Sequence, residues 1–209
     1  ALLNALEVAG KRIEDVRVVV NGAGAAAVSC SKMYLTLGVK PENLIMCDSK
    51  GVIRVDRPGL SGKKKQFATQ RDIHSLEEAL NGADVFLGLS VADVVTTEMV
   101  RSMAANPIVF ALANPNPEIS YENAMASRDD IIFATGCSAY PNQLNNVLVF
   151  PYIFRGDLDV RARKTNAALK FAAVHALAYL PTQTVPDMVA TADIRNILDF
   201  GTEYLKRKH

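Results

Sequence analysis

Arg17-Val18-Val19-Val20-Asn21-Gly22-Ala23-Gly24-Ala25-Ala26-Ala27 decides how this chain folds. A β-branched run leads into Gly-x-Gly-x-x-Ala, and a helix-forming run follows over residues 25–37. Strand, glycine turn and helix in that order are what a nucleotide pyrophosphate needs. Gly22 turns the chain sharply off the strand, and Gly24, lacking a side chain, lets the backbone approach the phosphates. Ala27 is small enough for the helix to pack closely on the strand. The helix N-terminus then offers unpaired N–H groups and a partial positive charge to an anion. A short Gly/Ala run can also be a tight turn and nothing more. The context favours the ligand: Ile45-Met46-Cys47-Asp48 reads as a second strand ending in an acid about twenty residues past the motif, where a ribose-binding carboxylate belongs.

Working outward, 209 residues suffice to bury a core as one domain, and 49% hydrophobic with 22% charged residues is the balance of a soluble globular protein. A net charge of +1 argues against a nucleic-acid partner. Three cysteines (Cys30, Cys47 and Cys137) with no paired metal spacing favour a reducing, cytoplasmic setting over a disulfide framework. No apolar run reaches the length of a membrane span, and no signal peptide opens the sequence. Ala1 stands where a Met would, in what reads as mid-helix, so we expect a fragment or a processed chain.

Residues 1–9 are apolar at helical spacing and stop at Gly10. The helix after the glycine turn closes at Gly38, with Pro41 beyond. Residues 49–71 are polar and read as a long irregular crossover. Ser75-Leu76-Glu77-Glu78 is a capping box that starts a helix ending near Gly82. Further strands are expected over residues 84–89, 108–113 and 131–135, separated by helices beginning near Thr96 and Ser120. This alternation predicts an α/β fold, a doubly wound parallel sheet of the Rossmann type with C-terminal helices. Those helices are an amphipathic one over residues 165–180, stopped by Pro181, and a shorter one over residues 188–200. No repeat or composition break divides residues 1–209.

Ligands of such sheets bind outside the carboxyl ends of the strands. There the sequence reads Leu89-Ser90-Val91, Ala113-Asn114-Pro115-Asn116-Pro117-Glu118, and Thr135-Gly136-Cys137-Ser138 followed by Tyr140-Pro141-Asn142-Gln143-Leu144-Asn145-Asn146-Val147. Asn114 opens a loop stiffened by alternating prolines and can donate to a carboxylate or a carboxamide; equally, Asn-Pro starts turns. Asn145-Asn146, flanked by apolar residues, implies either ligand contact or helix capping, because buried amides must be paired. Lys63-Lys64-Lys65 reads as a solvated loop, and His74 and His175 as surface or satisfied residues.

Five ordered segments carry a resemblance: Asn21-Gly22-Ala23-Gly24-Ala25-Ala26-Ala27, Cys47-Asp48-Ser49-Lys50-Gly51-Val52-Ile53, Gly82-Ala83-Asp84-Val85-Phe86-Leu87-Gly88-Leu89-Ser90, Phe110-Ala111-Leu112-Ala113-Asn114-Pro115, and the Tyr140–Val147 stretch followed by Phe154-Arg155-Gly156. Together they resemble malic enzymes, most closely the small bacterial type, and the likeness extends to about Leu180. It implies oxidation of malate by hydride transfer to NAD(P), decarboxylation assisted by Mg²⁺ or Mn²⁺, and release of pyruvate from a homodimeric or homotetrameric enzyme. It further implies that Gly22, Ala23, Gly24, Ala25 and Ala26 cradle the pyrophosphate, with Ser90 on the cofactor side. Asn114 and Asn146 would contact nicotinamide and substrate, with Asn145 beside them. The family's catalytic Tyr and Lys and its metal-holding Glu, Asp and Asp precede the position of Ala1, so residues 1–209 are expected to be the NAD(P)-binding domain without its N-terminal catalytic partner. Cys137 and Ala139 replace an Arg and an Asp of the family pattern, and the ending Tyr204-Leu205-Lys206-Arg207-Lys208-His209 lacks its proline-rich close.

Asp48 alone points to NAD, since a carboxylate pairs with a 2′-hydroxyl and repels a 2′-phosphate. Ser49 and Lys50 point to NADP, because a hydroxyl and an ammonium just past the strand can hold that phosphate. We expect NADP, with Arg54 and Arg57 as further sources of positive charge or as a solvated basic loop. Two other readings stay open: a catalytically inert dinucleotide-binding module, and another two-domain dehydrogenase of the same architecture.

Overall fold

The computed structural model describes residues 1–180; the helix expected over residues 188–200 lies outside the described residues. At its centre is β1 (Val18–Asn21), whose three valines are fully buried. β-Branched side chains suit a pleated strand covered on both sides, and alternation sends Val18 and Val20 to one face and Val19 to the other. On one flank β1 pairs in parallel with β2 (Leu44–Asp48), and on the other with β4 (Val85–Gly88). Beyond β4 come β5 (Ile108–Ala111) and β6 (Ile132–Thr135), also parallel.

The crossover over residues 49–71 is more ordered than its composition suggests. The chain turns back at once after β2, and β3 (Gly51–Val52) adds an antiparallel edge with Cys47 opposite Val52 and Asp48 opposite Gly51. The sheet is therefore six-stranded in the order β3-β2-β1-β4-β5-β6, and mostly rather than wholly parallel. Gly51 is required here: its φ is +94°, and a Cβ would overlap the His74 carbonyl oxygen. A single helical turn, Gly62–Lys65 (α3 below), completes the segment.

Helices cover both faces. α1 (Leu2–Ala9) and α2 (Ala25–Leu37) pack with Val18, Val20, Leu87 and Phe110. α4 (Leu76–Leu80), α5 (Thr97–Arg101) and α6 (Tyr121–Ser127) pack on the other side with Val19, Ile45, Phe86 and Val109. Ser75, Thr96 and Ser120 each cap the helix that follows, their hydroxyls accepting a backbone N–H three residues on. The capping box differs in one bond: the Glu78 carboxylate accepts from His74 N–H at 2.7 Å, one residue before the position expected.

After β6 come α7 (Phe150–Asp159) and α8 (Ala167–Tyr179). The tail helix is not amphipathic as expected. Its alanines and larger apolar residues are spread round the helix, so no single stripe forms, and none of its residues is buried. It is tied back through the buried Asn4, whose amide donates to the Ala178 carbonyl at 2.9 Å.

Phe86 is fully buried within the second of these layers. Phe86→Ala is expected to cost about 3–5 kcal/mol, read as a lower urea midpoint with an unchanged slope; a shift below about 1 kcal/mol would mean that this face is loosely packed.

Candidate functional site

The glycine turn departs from β1 at the point where the strand order reverses, with β2 on one side and β4 on the other. Gly22 has φ +124°, and a Cβ there would collide with the Leu89 carbonyl oxygen just past β4. Gly22 N–H donates to Cys47 O at 2.9 Å, and Leu89 N–H to Asn21 O at 2.8 Å, so three strand ends are drawn together. Gly24 is different. A Cβ at Gly24 would meet nothing within 4 Å, so its missing side chain leaves space for something outside the chain. α2 begins there without a side-chain cap and with no acid in its first turn, which leaves its leading N–H groups and positive dipole end open to an anion. Ala27 is fully buried, as close helix-on-strand packing requires.

This turn forms one wall of a crevice of about 820 Å³, a volume suited to a cofactor. Of the residues singled out in the sequence, Gly22, Ala23, Gly24, Asp48, Ser49, Lys50 and Ser90 line it together. Ala25 and Ala26 sit at the adjoining helix start. An open helix N-terminus flanked by a polar strand end on each side fits a dinucleotide diphosphate.

At the end of β2 the structure departs from the simple ribose-carboxylate picture. Both carboxylate oxygens of Asp48 accept from Arg57 Nη2 (2.7 and 2.6 Å), one accepts from Lys64 (2.6 Å), and the other accepts Lys50 N–H at 3.0 Å. Burial by itself would raise the carboxyl pKa, but the bonds from Arg57, then Lys64, then the Lys50 amide outweigh it and pull the value down to about 2. Lys64 was expected in a solvated loop; α3 instead carries it to the crevice wall. Arg57 joins the site, whereas Arg54 turns away to Asp56 and Asp72. No periodic signal links Asp48 to Arg57 or Lys64, because an irregular loop brings them together. The Lys50 and Ser49 side chains are exposed at the rim, and one carboxylate among three cations leaves the β2 corner positive.

Asn114, Asn145 and Asn146 stand apart from this crevice, and Asn145 takes the capping role that the sequence left open. Asn114 is exposed at the end of β5, its amide donating to Leu112 O at 3.2 Å and lying beside Gly136. Asn145 is a capping residue: its side chain accepts Val147 N–H at 3.0 Å at the start of a 3₁₀ turn, Asn146–Leu148. Asn146 is exposed, so the argument from buried amides does not hold. All three follow β5 or β6 on the strand-end side of the sheet, but they do not line the crevice beside Gly22.

Glu118 carried no role in the sequence reading. It is fully buried, and its carboxylate accepts from Ser90 N–H (2.9 Å), Ser90 Oγ (3.2 Å) and Ala113 N–H (3.0 Å). The only advance signal was an acid following a Pro-rich strand exit. Among the described residues no group of three or more His, Cys, Asp or Glu stands where a metal could be held.

Comparison with known proteins agrees with this geometry. The profile of the malic enzyme NAD-binding domain matches residues 1–202. The NADP-dependent malic enzyme of Halomonas elongata is 50% identical over 204 residues, covering 98% of this chain and 48% of that protein. The NADP-dependent malic enzyme of Rhizobium meliloti is 52% identical over 205 residues, covering 98% of this chain and 27% of that protein. The chain thus spans about half, or about a quarter, of the length of these relatives. The crystal structure of NAD-dependent malic enzyme from Thermotoga maritima superposes with a TM-score of 0.78 at 35% identity, covering 97% of this chain and 55% of that one.

The Asp48 contacts generate a pH prediction. Its pKa falls from 3.8 to about 2 on folding, so its stabilising contribution is complete above the unfolded value and disappears as pH drops through the folded one. The difference in thermal midpoint between the parent and Asp48→Asn should therefore shrink between about pH 4 and pH 2. A difference that stays constant through that window would show that these contacts do not bias the titration.

Proposed function

The chain belongs to the malic enzyme family as its NAD-binding domain, and from that premise we propose that it holds NADP for the oxidative decarboxylation of malate to pyruvate and carbon dioxide. The observation that carries the choice of NADP is the occupied state of Asp48. A carboxylate already held by Arg57 and Lys64 is a poor partner for a 2′-hydroxyl, and the surplus positive charge around it favours a 2′-phosphate. Lys50 and Ser49 at the rim, with Lys64 beside them, supply an ammonium, a hydroxyl and a second ammonium for that phosphate.

The open N–H groups at the start of α2 would hold the diphosphate, with the adenosine half toward β2 and the nicotinamide half toward β4 and β5. Ser90 meets the nicotinamide half. The exposed amides of Asn114 and Asn146 are available to the nicotinamide carboxamide and to a substrate carboxylate, with the half-buried, capping Asn145 beside them. When bound, NADP would supply the acceptor for hydride from C2 of malate, and a divalent Mg²⁺ or Mn²⁺ held by residues outside this chain would supply Lewis acidity for the decarboxylation. This chain's own residues bind and orient the cofactor. The proton-transfer Tyr and Lys and the metal carboxylates belong to a catalytic domain outside residues 1–209.

We place the complete enzyme in the cytoplasm as a homodimer or homotetramer. Three unpaired cysteines support a reducing compartment. Exposed Phe150, Tyr152, Phe154 and Leu158 on α7 support burial of that helix in the complete assembly. Among the described residues no helix is long and apolar enough to cross a membrane.

Lys50→Ala and Lys64→Ala should each weaken NADP about tenfold or more by calorimetric titration while leaving NAD within about twofold, because each removes a charged partner of the 2′-phosphate. Equal losses for both coenzymes, or no loss for either, would remove the NADP assignment. The 209-residue chain itself is expected to show no turnover with malate, NADP and Mn²⁺. Turnover would mean that the acid–base residues lie within it.

A further inference from the structure

The carboxyl ends of β1, β4 and β5 are joined by one continuous set of hydrogen bonds that ends on a buried acid. Asn21 Nδ2 donates to Ser90 Oγ at 2.9 Å, and Ser90 Oγ donates in turn to Glu118 Oε1. The same Oε1 takes Ser90 N–H, while Oε2 takes Ala113 N–H. Glu118 has no exposed surface, and among the described residues it forms no ion pair. Space for it is made by Gly88, the last residue of β4, where a Cβ would collide with the Glu118 carboxyl carbon. The surrounding backbone is fastened too: Val95 N–H donates to Glu118 O at 2.9 Å and Asp93 N–H to Pro117 O at 3.2 Å.

We propose that Glu118 is a positioning residue for the nicotinamide half of the dinucleotide, acting by fixing Ser90 on the crevice wall and Ala113-Asn114 at the neighbouring strand exit. This rests on the dinucleotide reading of the crevice. A buried carboxylate without a cation is costly unless its oxygens are satisfied. Here every partner is a donor, two of them backbone amides just past the ends of different strands, so only an acceptor with two oxygens at this reach can tie both exits at once. The adenosine half depends on other groups, Lys50, Lys64 and the start of α2, none of which touches Glu118. The two halves of the cofactor therefore have separate supports, and disturbing Glu118 affects one of them.

Glu118→Gln keeps the shape but turns an –NH₂ group toward an N–H donor, which breaks one tie. Titration calorimetry with NADP, and with adenosine 2′,5′-bisphosphate as a probe of the adenosine side, separates the outcomes. The variant should bind NADP about tenfold more weakly and the bisphosphate within about twofold of the parent. The fluorescence of bound NADPH, a property of its nicotinamide ring, should also shift. Equal weakening of both ligands would make Glu118 a general scaffold residue and overturn the proposal, as would unchanged NADP binding with unchanged fluorescence. If Glu118→Gln does not fold, Glu118→Asp carries the same test. It keeps the charge but reaches one strand exit, so selective loss of NADP is expected and parent-like binding overturns the inference. A parent chain that binds no NADP would instead fail the dinucleotide reading itself.

Discussion

The close approach of the Gly22 backbone to the Leu89 carbonyl is the constraint on which the rest of this structure depends. It lets the ends of β1 and β4 meet without a side chain between them, and it sets where α2 can start. Had any other residue stood at Gly22, φ +124° would have been strained and the two exits forced apart. The crevice is the space left between these exits and the β2–β3 turn. The start of α2 faces it uncapped because of what the sequence leaves out: α2 has no Ser, Thr, Asp or Asn cap of the kind that closes α4, α5 and α6.

The two sides of that crevice are built on different electrostatic plans. On the β2 side, charge is gathered at the rim, where Arg57 and Lys64 neutralise Asp48 and add a surplus. On the β4–β5 side, a single acid is sunk beneath the surface and satisfied by neutral donors. In the first plan, charge gathered at the rim is weakened by salt screening. The second fixes geometry and is shielded from solvent.

Much of the fold was legible because parallel strands buried on both faces read as unbroken apolar runs. Val18-Val19-Val20 and Val85-Phe86-Leu87 are of this kind, and the capping hydroxyls at Ser75 and Ser120 marked helix starts. Features that depend on irregular backbone were not legible. Val52 pairs back onto Cys47 through a turn of two residues, too short to carry a period. Arg57 and Lys64 reach Asp48 across a loop whose composition alone suggested solvent. The asparagines misled for a different reason. Leu144 and Val147 beside them suggested burial, yet Val147 is 65% exposed, so an apolar neighbour was no guide to depth. Glu118 lay hidden because two of its three partners are main-chain groups, and main-chain groups leave no mark on sequence.

The bond from Asn4 to the Ala178 carbonyl brings the first and last described helices to one corner of the molecule. One side-chain amide thereby bridges 174 positions of sequence. With none of its own residues buried, α8 is latched by polar atoms from the opposite end of the described chain, where packing is thin.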